Sequence, residues 1–132
     1  MKNIHPRVKS GLDILVDEGC RRLQNKRIGL LCHAASISSG LEHIVQVFHR
    51  FGIKPVRCFG PEHGIWADAQ DMISVQGEVK EPLTGAPVVS LYGTDEESLA
   101  PRAAELQGIE LVVIDLQDIG SRYYTYIYTA AL

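Results

Sequence analysis

RIGLLCHAASISSGLEHIVQVF, residues 27–48, decides the fold. Arg27 to Cys32 is a short, nearly continuous apolar run, the pattern of a strand covered on both faces of a parallel sheet. The polar stretch HAASISS (33–39) follows it. Ser39-Gly-Leu-Glu42 then predicts a capping box, in which the Ser39 hydroxyl and the Glu42 carboxylate each satisfy an orphan amide. Leu41, Ile44, Val45 and Phe48 predict the apolar stripe of the helix it opens, and Gly52 its stop. A strand, a polar turn and an amphipathic helix in that order form half of a βαβ unit.

Upstream, Val8, Leu12, Leu15, Val16, Cys20 and Leu23 recur at the spacing of one helix face. Downstream, Pro55–Phe59, Pro87–Tyr92 and Leu111–Asp115 read as three more strands, the last being the most apolar. A helix is expected over 96–106, irregular near Pro101 and stopped by Gly108, and another from Ser121 to Leu132. The alternation predicts one α/β domain over residues 1–132, a Rossmann-like three-layer sandwich with an open, mainly parallel sheet of about four strands. Residues 60–86 carry no helical stripe. A connection of that length in a compact domain is usually functional or disordered, and Trp66 and Ile73 argue for order.

Composition narrows the class. With 45% apolar and 22% charged residues, the chain has the balance of a soluble globular domain. A net charge of -3 with dispersed lysines and arginines excludes a sequence-independent nucleic-acid binder. No run approaches the ~18 apolar residues of a membrane span, and the N-terminus lacks a signal-peptide h-region, so a cytoplasmic location is expected, or a periplasmic or exported one if a leader has been removed. Cys20, Cys32 and Cys58 have no CxxC spacing and read as buried, reduced thiols. A nucleophilic Cys32 beside His33 is the lesser reading, because adjacent strand residues point to opposite faces.

Open parallel sheets bind ligands outside the carboxyl ends of their strands, where strand order reverses. Each predicted strand here ends in a polar cluster: HAASISS (33–39), GPEHG (60–64), YGTDEE (92–97) and DLQDIGSR (115–122). A spatial order of 3-2-1-4 would bring Glu62, His63, His33, Asp115, Asp118 and Arg122 to one edge. Several of these have plainer explanations. Asp115 and Asp118 could cap the last helix, His33 could be an ordinary strand-end residue, and Trp66 could plug the core or stack on a ligand. The tyrosines at 123, 124, 126 and 128 could be packing, with 124 and 128 sharing a helix face. Glu62, between proline and histidine, has no evident structural task. No GxGxxG or GxxxxGK[ST] is present, so no nucleotide cofactor is expected. A metal on His63, Asp68, Asp71 and His33 lacks HxH or HExxH spacing, and none is expected.

FGPEHGI (59–65), TGAPVVSLYG (84–93) and VVIDLQDIGSRYYTYIYT (112–129) together resemble the NamZ/YbbC-like exo-β-N-acetylmuramidases. The resemblance runs in order from about Gly11 to the end of the chain. It implies a Rossmann-like N-terminal domain followed by a second domain, absent from this chain, with the active site in the cleft between them. It also implies hydrolytic release of terminal N-acetylmuramic acid from peptidoglycan fragments. The family's proposed catalytic glutamate falls on Glu62, and its DIQDxGxRxYTY pattern on Asp115, Gln117, Asp118, Gly120, Arg122, Tyr124, Thr125 and Tyr126. Ile65-Trp66-Ala67 and Cys32-His33-Ala34-Ala35 depart from the family's usual residues after EHG and after the first strand.

On this reading Glu62 is the acid and Asp115, Asp118 or a residue outside the chain the second group. Burial against Trp66 would favour the protonated acid, and a protonated His63 would oppose it. His33, His63, Trp66, Gln117, Arg122, Tyr124 and Tyr126 would bind substrate, with Arg122 paired to the lactyl carboxylate of muramic acid. The expected partner is a peptidoglycan-derived sugar, with no nucleic acid or membrane. A homo-oligomer could form through the surface that the second domain leaves. Two other readings stay open, a non-catalytic amino-sugar-binding module and a metal-dependent hydrolase.

Overall fold

The computed structural model describes residues 8–67, 79–121 and 123–132. It is a mixed α/β fold with a five-stranded sheet in the order β3-β4-β2-β1-β5. The strands are β1 (Ile28–Cys32), β2 (Arg57–Gly60), β3 (Val79–Lys80), β4 (Pro87–Ser90) and β5 (Leu111–Asp115). β1, β2, β4 and β5 are parallel in the order the sequence suggests, with β1 paired to β2 on one side and to β5 on the other. The two-residue β3 adds antiparallel to β4, an element not expected in the long connection. Ile73, together with Asp68, Asp71 and Arg122, lies outside the described residues.

β1 is an interior strand between β2 and β5, and all five of its residues are buried. Ile28, Leu30 and Cys32 face a main core with Cys58 and the inner side of helix α2 (Ile44–Arg50). Leu31 and Phe59 face a smaller core with Leu91 and Ile109 on the other side. Gly29 admits this second layer, since a Cβ there would lie 2.9 Å from Ile109 Cδ1 and 3.2 Å from Phe59 Cε2. β5 is less covered than its apolar sequence suggests, with Leu111, Val112 and Ile114 partly exposed. Among the described residues it is an edge strand, with a paired neighbour on one side alone.

The helices are shorter than their stripes. α1 spans Gly11–Asp17, and a 3₁₀ turn at Arg21–Leu23 follows it. Val8, the first residue of the expected stripe, is 93% exposed. Ser10 starts α1 instead: its Oγ accepts the Asp13 amide at 3.1 Å, and Asp13 Oδ2 accepts the Ser10 amide at 3.0 Å. The Ser39–Glu42 capping box does not form. The cap of α2 is His43, whose Nδ1 accepts the Val45 amide at 3.3 Å while Gln46 Oε1 accepts the His43 amide at 2.9 Å. Leu41 accordingly leaves the stripe. It is 86% exposed with φ +62°.

The expected 96–106 helix is divided, as Pro101 requires, into a 3₁₀ turn at Glu96–Leu99 and α3 (Ala103–Leu106). The last helix, α4, spans Tyr126–Ala131 rather than starting at Ser121. Tyr124 therefore precedes it and shares no helix face with Tyr128. Among the described residues no helix is long and apolar enough to cross a membrane.

Candidate active site

Strand order reverses between β1 and β5, because the chain builds outward from β1 to β2 and β4 and then returns to β1's other side. At that switch point a hollow of about 240 Å³ opens. His33, Ala34 and Ala35 line it from the turn after β1, and Glu62, His63, Gly64 and Ala67 from the turn after β2. Gln117, Ile119, Tyr124 and Tyr126 line it from the segment after β5. Six expected site residues thus meet here: His33, Glu62, His63, Gln117, Tyr124 and Tyr126.

The β1 turn is rigid for reasons readable in its bonds. Ser36 is buried; its Oγ accepts the His33 amide at 3.0 Å and donates to the Asp115 carbonyl, fastening the turn to β5. Asp13 Oδ1 accepts the Ser39 amide at 2.8 Å, fastening it to α1. The amides of Ser10 and Ser39 hold the Asp13 carboxyl far below the usual carboxylate range. His43 Nε2 lies 2.9 Å from the His33 carbonyl, and since its Nδ1 accepts an amide, Nε2 is the donor.

His33 is a strand-end residue and a pocket wall at once. Its Nε2 accepts the Gln117 amide at 2.8 Å, which leaves the proton on Nδ1. Its ring meets Tyr126 edge-on at 4.8 Å. Burial first, and the proximity of His43 second, lower its pKa from the ordinary 6.5. A group with a depressed folded pKa contributes stability above its unfolded value and loses it as pH falls through the folded one. Stability in urea is therefore expected to be lower at pH 5 than at pH 7.5. His33→Gln, whose side-chain oxygen can still accept the Gln117 amide, is expected to flatten that difference.

The β2 turn presents Glu62. Gly60 allows it: a Cβ there would lie 3.0 Å from Ile65 N and 3.2 Å from Gly64 Cα, so the turn folds back against the strand end. The Gly64 amide closes the turn on the Pro61 carbonyl at 2.8 Å, with His63 at φ +68° and Gly64 at +78°. A histidine in the left-handed region is uncommon and marks a conformation imposed by its surroundings. The Glu62 side chain is 13% exposed. Its Oε2 accepts both the amide and the hydroxyl of Thr125, each at 3.2 Å, and its Oε1 lies 3.8 Å from His63 Nε2.

Other expected residues lie elsewhere. Asp115 belongs to the main-core side of β5, opposite Cys32 in register, and is not among the lining residues. Its Oδ2 is buried without a hydrogen-bond partner among the described residues, and burial raises its pKa. Asp118 is exposed, with Oδ1 accepting the Gly120 amide at 3.3 Å in a local turn. Neither aspartate caps α4, whose N-cap is Thr125. Trp66 is 42% exposed and lies on the His43 ring at 4.6 Å, so it braces the cap of α2 rather than the wall of the hollow.

Cys32 is buried, and burial raises its thiol pKa; Cys58 is pushed up to about 12. Neither thiol has the thiolate character of a nucleophile. The YGTDEE cluster after β4 stands apart, since Asp95 and Glu97 line a second cavity of about 320 Å³. Among the described residues no three His, Cys, Asp or Glu side chains group to hold a metal. Thr125 and Ser36 were not singled out in the sequence for the bonds they make. Ser36 sits in a polar turn and Thr125 before an apolar run, but their partners are 79 and 63 residues away.

Known proteins resemble this chain in sequence and in fold. Residues 28–132 match the family model described as exo-β-N-acetylmuramidase NamZ, N-terminal. The chain is 39% identical over 127 residues to the peptidoglycan β-N-acetylmuramidase NamZ of Bacillus subtilis (strain 168), covering 96% of this chain and 30% of that protein. A crystal structure of a DUF1343 family protein from Bacteroides fragilis NCTC 9343 superposes with a TM-score of 0.75 at 32% identity, over 96% of this chain and 31% of its own. A second DUF1343 protein of that strain gives 0.67 at 25% identity, over 94% and 30%. The chain thus spans under a third of the length of these relatives. By the family model that covers β1 through α4, it belongs to the NamZ exo-β-N-acetylmuramidase family and corresponds to that family's N-terminal part.

Proposed function

We propose that this chain supplies the acid-bearing wall of an exo-β-N-acetylmuramidase site, acting on terminal N-acetylmuramic acid of peptidoglycan fragments. The observation that carries the reading is Glu62, a largely buried carboxyl in a switch-point hollow, in a chain that belongs to the NamZ family. Glycoside hydrolysis needs a proton delivered to the leaving oxygen, and a positioned carboxyl at a partly desolvated wall suits that task. Tyr124 and Tyr126, with rings 5.5 Å apart, offer apolar faces and hydroxyls to a sugar. His33 offers Nδ1–H as a neutral donor to a sugar oxygen.

Among the described lining residues Glu62 is the one carboxylate, so they do not supply the second group of a two-carboxylate mechanism. Asp115 fastens β1's turn through its backbone carbonyl, which accepts the Ser36 hydroxyl, and its carboxylate is not among the residues that line the hollow. The three buried, unpaired thiols support a reducing compartment such as the cytoplasm.

The test is release of chromophore from a chromogenic N-acetyl-β-muraminide against its N-acetyl-β-glucosaminide counterpart. Turnover of the muraminide at least tenfold faster is the expected result. Binding of muramic acid without turnover would instead mark a sugar-binding module, and loss of turnover on chelation a metal-dependent hydrolase.

A further inference from the structure

We infer that Thr125 is a positioning residue: it holds Oε2 of Glu62 through two hydrogen bonds and so makes Oε1 the oxygen that meets substrate. The inference rests on the reading of Glu62 as the acid.

Threonine at a helix N-cap normally turns its hydroxyl back to accept an amide of its own first turn. Thr125 is the N-cap of α4, yet its side chain makes no capping bond. The hydroxyl and the amide both donate instead to the same oxygen, Glu62 Oε2, at 3.2 Å each, across 63 residues of sequence. A carboxylate oxygen has room for two donors, and filling both sites on Oε2 leaves no reason for that atom to carry the proton. Oε1 lies beyond hydrogen-bond length from His63 Nε2, at 3.8 Å. Among the described residues the two oxygens of one carboxyl are thereby made unequal, Oε2 anchored by two hydrogen bonds and Oε1 held by none, with His63 at ion-pair range beside it. The same pair of bonds joins the turn after β2 to the start of α4, two walls of the hollow. A shift of α4 would consequently move the acid.

Two isolated variants test this. Thr125→Val keeps shape and amide but loses the hydroxyl, whereas Thr125→Ser keeps the hydroxyl. A hydrogen bond to a charged group is commonly worth a factor of about 10–100. Thr125→Val is expected to lower kcat for the chromogenic muraminide about tenfold with KM within about twofold. It should also displace the limb of the pH–rate profile that reports the acid, and Thr125→Ser should restore most of the rate and the profile. A second readout is independent of turnover. In ¹⁵N-labelled protein the Thr125 amide resonance should shift with pH as the carboxyl at 62 ionises, and that shift should vanish in Glu62→Gln.

If no variant turns substrate over but the amide follows residue 62, the glycosidase reading fails and the anchoring stands. If the amide is indifferent to residue 62, or Val and Ser lose rate equally with an unmoved profile, the inference is overturned.

Discussion

Glu62→Gln is expected to lower release of N-acetylmuramic acid by about 10²–10⁴-fold, the usual contribution of a positioned general acid. KM should change little, because the amide occupies the volume of the carboxyl. The fold should survive for a specific reason. What Glu62 does structurally is accept two donors from Thr125 through one oxygen, and a glutamine side-chain oxygen accepts them as well. The lost property is the exchangeable proton. Thermal unfolding of Glu62→Gln within a few degrees of the parent protein, with rate lost, separates chemistry from architecture. Glu62→Ala would not separate them, since it removes the tether to α4 along with the acid. A Glu62→Gln protein that keeps a tenth or more of its rate would remove Glu62 from the acid's role. A replacement carboxylate would then have to come from outside the described lining residues, where Glu62 is the one carboxylate.

The sheet was legible in the sequence, and the reason is local. Apolar runs at 28–32, 57–60, 87–90 and 111–115 each end in a polar cluster, which is how strands of an open parallel sheet that carries a site at its carboxyl edge must look. The order 3-2-1-4 that the pattern allows is the one formed, and of the residues it would bring to one edge Glu62, His63 and His33 meet, whereas Gln117 enters through the family resemblance alone. The misreadings have a different physical origin. Ser39 and Glu42 have the spacing of a capping box, but the Ser39 amide is taken by Asp13, 26 residues away, and Ser38 Oγ accepts the Glu42 amide. With the chain so occupied, a buried histidine caps α2, four residues later than the spacing implies.

Asp115 and Asp118 share the polar cluster with Gln117, yet period-two alternation turns Asp115 toward the main core and an Asx turn occupies Asp118. Trp66 follows Glu62 closely in sequence and still faces another wall, because Ala67 at φ +55° and Gly64 at +78° bend the chain between and after them. Bonds spanning 63 and 84 residues, Thr125 to Glu62 and Gln117 to His33, build the site, and no local spacing announces them.

The start of α2 yields the second large effect, as a contrast between two residues that share one stripe in the sequence. Phe48 is fully buried in the main core, against the face of β1 that Leu30 and Cys32 present. Phe48→Ala should cost about 3–5 kcal/mol through lost burial and the cavity left behind. Against a total of about 5–15 kcal/mol for a domain, that lowers the melting temperature on the order of 10–20 °C. Leu41 lies seven residues earlier, two turns along the same expected face. Had the helix begun at the Ser39–Glu42 box, Leu41→Ala would cost about 2–5 kcal/mol as well. The structure places Leu41 in solvent, so its truncation should stay within about 0.5 kcal/mol.

Leu41→Gly sharpens the contrast further. At φ +62° a leucine bears a left-handed strain of about 1–2 kcal/mol that glycine does not. Glycine's extra freedom in the unfolded chain offsets about 0.5–1 kcal/mol of the gain. The net effect should therefore be neutral to slightly stabilising, where a helical stripe position would be plainly destabilised. Urea unfolding of Phe48→Ala, Leu41→Ala and Leu41→Gly reads all three together. A loss at Leu41→Gly comparable to that at Phe48→Ala would move the helix start back to Ser39. It would also take with it the His43 cap, whose Nε2 holds the His33 carbonyl at the wall of the hollow.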